Sequence, residues 1–213
     1  MDTDLETLAT ALYVTADDLL KAHPEILPLR PRVGIAPAIT DAEVLTLAAI
    51  APLVGINTER RFLRYARKHL TGMFPYIPGQ SGYNKRLRAL AGTIGWLAAA
   101  LATTSAHTII ADKGYRSKDL EDDLNQAGLT LLRPAARNET PRPGAGLLRP
   151  LRQRIESVFD TLKDQLGLER HNGRTPTAVT ARVAQRILAL TAVIWHNDKT
   201  GNPRLRSLTP YDH

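Results

Sequence analysis

Thr108-Ile109-Ile110-Ala111-Asp112-Lys113-Gly114-Tyr115, followed by Leu129-Thr130-Leu131-Leu132, is the stretch that sets the fold class. Each apolar run is short, and the first is β-branched and reads as a buried parallel strand. Between them Ser117 can cap a helix from Lys118 to Ala127, and Gly128 suits the position just past its end. Strand, helix, strand makes a βαβ crossover, right-handed by default. Asp112 then stands at the C-terminal end of a strand, where ligands gather in open α/β sheets. An Asp so close to Gly114 also suits a plain turn cap.

Upstream of this stretch the chain reads as helices. Thr40-Asp41-Ala42-Glu43 has the spacing of a capping box. Val44, Leu45, Leu47, Ala48, Ile50 and Ala51 follow, and Gly55 suits the stop. From Thr58 to Leu70, helical spacing puts Phe62, Leu63, Ala66 and Leu70 on one face. Arg60, Arg61, Arg64, Arg67 and Lys68 fall on the other. A Pro/Gly-punctuated linker, GMFPYIPGQSG, precedes a third helix from about Tyr83 to Ala102, whose start carries Lys85, Arg86 and Arg88. A helix, a short turn and a basic helix resemble a helix-turn-helix in outline, and plain bundles share that outline.

Charge supports the same division. The 213 residues carry a formal net charge of +7, which is unevenly placed. Residues 1–58 are net acidic, residues 59–91 hold eight basic side chains against one acidic, and the remainder is mildly basic. A basic block after an acidic one suggests a polyanionic partner, nucleic acid above all. Aromatics at 5% argue against an RNA-binding sheet built on stacking. The absence of cysteine excludes disulfides, zinc-thiolate sites and thiol nucleophiles. No basic segment leads into an apolar run at the start, and Thr93 to Thr103 is too short to span a bilayer. A cytoplasmic protein with no membrane association is the expectation.

Past the second strand, Arg133 to Gly146 is rich in Pro, Gly and Arg and reads as a mobile loop. Two helices close the chain, about Leu148 to Leu166 and about Thr177 to Asn197. In the first, Arg152, Glu156, Asp160 and Lys163 share a face, with Ile155, Val158, Phe159 and Leu162 opposite. Carboxylate flanked by cations suits a metal ligand beside phosphate contacts, and it equally suits solvent-exposed ion pairs.

Ile109-Ile110-Ala111-Asp112-Lys113-Gly114-Tyr115 resembles the second-aspartate strand of bacterial insertion-sequence DDE transposases. Arg152-x-x-x-Glu156-x-x-x-x-x-x-Lys163 resembles their Y-x-x-R-x-x-x-E-x-x-x-x-x-x-K signature around the last glutamate. LLRPA, ERHNGRTP, RILALTAVIWHN and SLTPYDH also look like that family. The resemblance runs from Thr108 to His213 and extends with weaker motifs into the helical part. It implies Asp112, Glu156, Arg152 and Lys163 as catalytic residues and Asp112 and Glu156 as ligands for Mg²⁺ or Mn²⁺. It implies double-stranded DNA, the transposon ends, as partner, and it allows a homodimer. The reaction implied is metal-dependent DNA cleavage and strand transfer, in which two metals activate the nucleophile and stabilise the leaving oxygen.

The chain departs from that pattern twice. Arg149 occupies the signature's tyrosine position. The family's first aspartate sits on the opening strand of an RNase H-like sheet, and here no such strand precedes Asp112. Asp41 starts a helix, and Asp17 and Asp18 lie in the acidic N-terminal part. Asp160 shares a helix with Glu156, so it makes a poor metal bridge. The expected fold is α/β by ancestry with a truncated RNase H-like sheet of about two strands, mostly α by content. Residues 1–104 form an N-terminal helical, DNA-binding domain and 105–213 the truncated transposase domain. The expected protein is a catalytically defective transposase remnant whose metal binding is weak or lost. The alternatives are a non-enzymatic helical DNA-binding protein or repressor, and a nuclease with a recruited carboxylate.

Overall fold

The computed structural model describes residues 3–29, 37–102, 108–204 and 207–211. Its chain groups into two compact units: residues 1–102 with 161–213, and residues 103–160. The grouping differs from a cut at 104/105, because the last long helix packs with the N-terminal helices. The junction 103–107, before which a first-aspartate strand is expected to be missing, lies outside the described residues.

The first unit is all helical: α1 (Thr3–Ala22), α2 (Asp41–Leu53), α3 (Glu59–His69), α4 (Gln80–Ala89), α5 (Ala91–Leu101) and α8 (Pro176–Thr200). The capping box forms as its spacing predicts. Glu43 N donates to Thr40 Oγ1 at 3.1 Å, and Thr40 N donates to Glu43 Oε2 at 2.7 Å. Nearly all of α2 is buried, and α8 packs on α5, α2 and α1. The helix expected from Tyr83 to Ala102 is two helices, with Leu90 between them at φ −87°, ψ 8°. That break lets Tyr83 and Leu87 on α4, and Ile94 and Leu97 on α5, all reach the core.

By length and composition α8 could cross a membrane, with a mean hydropathy of 1.3 over its most apolar window. Its buried positions nevertheless include Gln185, Arg186, His196 and Asn197, which find polar partners inside the unit. Tyr211 OH donates to Asn197 Oδ1 at 3.0 Å and lies 2.7 Å from His196 Nδ1. Asn197 Nδ2 donates to Ser207 O at 2.9 Å. The WHN and TPY segments therefore pin the C-terminal turn onto α8.

The second unit contains β1 (Thr108–Ile110), α6 (Lys118–Gln126), β2 (Thr130–Leu132) and α7 (Leu148–Asp160). The two strands pair in parallel with Thr108 opposite Thr130, and Ala111 N extends the ladder to Leu132 O at 3.0 Å. Ser117 caps α6, and Gly128 follows it at φ +73°, as expected. The burial expected of the first strand is absent: Ile109 and Ile110 are exposed, while Leu131 and Leu132 are buried. The helix between the strands accounts for the difference, since α6 packs on β2.

Arg133 to Gly146, expected to be mobile, is clamped. Buried Arg133 bridges Glu121 at 2.9 Å and Glu139 at 2.7 Å, and Arg142 reaches Glu121 at 2.7 Å. Hydrogen bonds from Arg133 hold the Glu139 carboxyl down at about 2, and Arg142 likewise lowers that of Glu121.

Candidate functional site

Asp112 follows β1 and is exposed. Its Oδ1 accepts from Lys113 N at 2.7 Å, and Tyr115 N donates to its carbonyl at 3.0 Å. Here the carboxylate serves as a turn cap. Glu156 is exposed on α7, where Oε1 accepts from Arg152 Nε at 3.0 Å, an i,i+4 pair in solvent. Such a pair contributes at most a few tenths of a kcal/mol, about 0.3–0.5.

The shared face of Arg152, Glu156 and Asp160 ends at Asp160, because the helix widens from Thr161 to Gln165 into a π turn closed by Leu166 N to Thr161 O at 3.0 Å. Lys163 falls out of that register and lies 3.6 Å from Glu169. The expected apolar face of the helix is split too. Ile155, Val158 and Phe159 are exposed on α7, whereas Leu162 is buried. Among the described residues, no group of three or more His, Asp or Glu gathers as a metal-ion site. A two-metal centre needs a bridging anion between its cations. Asp112 and Glu156, each turned to a local partner, do not fit one.

The basic face of α3 forms as its periodicity predicts. Phe62, Leu63 and Ala66 are buried, and Arg60, Arg61, Arg64, Arg67 and Lys68 are exposed. Among the described residues, Arg60, Arg61, Arg64 and Lys68 make no ion pair, while Arg67 donates to Pro78 O at 2.7 Å. On α4, Lys85 and Arg88 are exposed, and Arg88 Nε donates to Asn84 O at 3.3 Å. Arg86 departs from the expected phosphate-contacting set. It ion-pairs with Asp41 at the start of α2 and donates to Ile39 O at 2.7 Å, so it joins α4 to α2. The sequence hides this tie, because the partners stand 45 residues apart.

Sequence reasoning also missed a polar cluster inside the first unit. Arg182 of α8 ion-pairs with buried Glu59, and Arg186 beside it is buried. No helical spacing connects Glu59 to Arg182.

A family model described as transposase DDE domain matches residues 78–192, from just before α4 to well within α8. No curated protein and no solved structure matches the chain.

Proposed function

Because the chain belongs to the transposase DDE domain family, we propose that it is a DNA-binding member that no longer carries out strand transfer. The observation that carries this reading is the state of Asp112 and Glu156. Both are exposed and engaged with neighbours on their own segments, and among the described residues no group of three or more His, Asp or Glu side chains gathers as a metal site. Divalent metal is the family's usual means of activating a water or 3′-hydroxyl and stabilising the leaving oxygen. The residues present do not fit it. What the chain's own residues offer is phosphate binding: the α3 cations, with Lys85 and Arg88, present positive charge free of acidic partners among the described residues. An RNase H-like ancestry, transposon-end DNA as the partner, a homodimer and a cytoplasmic setting belong to this same proposal.

The second reading, a helical DNA-binding protein or repressor, is favoured by the closed core of the first unit, which carries the α3 face.

The test incubates the full chain with Mg²⁺ or Mn²⁺ and a labelled transposon-end duplex, beside Asp112→Ala. Binding without cleavage by either protein is expected. A triple Arg60→Ala, Arg61→Ala, Arg64→Ala variant should flatten the salt dependence, by about 0.9 in slope for each phosphate that is no longer neutralised. Cleavage by the parent that Asp112→Ala abolishes would overturn the loss of strand transfer, and an unchanged slope would dismiss the α3 face.

A further inference from the structure

Buried charges are normally paired one for one, because an isolated ion costs several kcal/mol to desolvate, about that much even after relaxation. The cluster between α4 and α8 breaks this rule. Arg182 and Arg186 are both largely withdrawn from water, and among the described residues Glu59, ion-paired with Arg182, is the one carboxylate given to them. Arg186 is 2% exposed and, among the described residues, donates only to neutral oxygens: Arg182 O and Gln185 Oε1, both at 3.2 Å, and Asn57 Oδ1 at 3.4 Å. Among the described residues its Nε has no hydrogen-bond partner, and neither has the OH of fully buried Tyr83. All of these groups line one small polar cavity. Burial lowers both guanidinium pKa values to about 10, and for Arg182 the charge of Arg186 adds to the effect.

Glu59 and Arg182 also line a second, open groove of about 400 Å³. Its walls add Arg88, Asn84 and Ser81 from α4, and Arg174 and Thr175 at the start of α8. Arg174 is exposed and makes no ion pair among the described residues. Thr175 caps α8, whose positive end therefore borders the groove. Three guanidinium groups face the opening with one carboxylate, and a fourth lies behind them.

We propose that this groove is a seat for a phosphate group, with Arg88 and Arg174 as outer contacts and Arg182 as the inner one. An oxyanion there supplies the negative charge that the buried arginine pair lacks, and guanidinium matches its geometry. The phosphate can come from a duplex backbone or from a free phosphate or phosphate ester. Only the first source rests on the DNA-binding reading proposed above.

The test compares the full chain with an Arg88→Ala, Arg174→Ala double variant, both verified as folded by circular dichroism. Arg182 is left intact, since its removal would strand Glu59. One arm follows thermal unfolding in inorganic phosphate. The general stabilisation by this salt acts on both proteins equally, so the site is read from the difference. The wild type is expected to gain at least about 2 °C more than the variant. The other arm measures duplex binding against salt, where one phosphate fewer neutralised lowers the slope by about 0.9.

Differences in both arms assign the seat to backbone phosphate. A difference in phosphate alone keeps the seat and rejects DNA as its source, and a difference in the duplex arm alone is the α3–α4 face acting through Arg88 and overturns the seat. No difference in either arm overturns the proposal. If the double variant does not fold, Arg174→Gln at its exposed loop position gives the same comparison.

Discussion

The two units solve the same problem of withdrawn arginines in opposite ways. In residues 103–160, Arg133 and Arg142 meet Glu121 and Glu139, two cations against two carboxylates. In the helical unit, Glu59 pairs with Arg182, while Arg186 beside it donates to neutral oxygens. The balanced quartet is complete in itself and clamps a loop. The unbalanced cluster is open to an anion and borders a groove. The apolar side runs the other way. The helical unit closes its core over α2 and α8, while the smaller unit leaves Ile109, Ile110, Ile155, Val158 and Phe159 exposed. Hydrophobic burial therefore holds the first unit, and in the second charge pairing takes a larger share.

The sharpest test of that contrast is Leu45→Ala at a fully buried position of α2. Truncating a closed core of this kind costs about 2–5 kcal/mol. Urea unfolding followed by Trp96 and Trp195 fluorescence reads it, and a loss below about 1 kcal/mol would show that the core is not closed.

An effect of intermediate size is expected from acid. Glu139 is held low by Arg133, so its folded value lies below its unfolded one. The quartet's contribution is therefore present above the ordinary carboxyl range and is lost as pH falls through about 2. Carbon-detected NMR titration of the Glu139 carboxyl should give that low midpoint. An ordinary carboxyl midpoint would mean the clamp does not hold in solution.

The smallest effect is expected from Phe159→Ala. This ring is 51% exposed on α7, so stability should stay within about 0.5 kcal/mol of the parent in urea unfolding followed by far-UV circular dichroism. A loss above about 2 kcal/mol would show that α7's apolar face is covered, and the contrast between the units would fail.

Local features were legible because their partners are close in sequence. The Thr40–Glu43 box, the Ser117 cap, Gly55 and Gly128 past their helices, and the two faces of α3 all rest on interactions within four residues or on helical period. The strand pairing followed from two short apolar runs around a capped helix. The exposure of β1 was not legible, since a β-branched run reads alike whether or not a third layer covers it. Of the candidate site, the residue types were plain and their partners were not. Asp112 and Glu156 are carboxylates at suggestive places, but Lys113 N and the Arg152 guanidinium engage them.

By itself the sequence determined the elements, the family motifs and the basic surface, because helix caps, periodicity and charge act over a few residues. Only the tertiary structure decided which charges are paired. Arg86 with Asp41, Arg133 with Glu121 and Arg182 with Glu59 join residues 45, 12 and 123 positions apart. Such pairs form when packing brings distant helices together and removes water from between them, and no local pattern encodes that event.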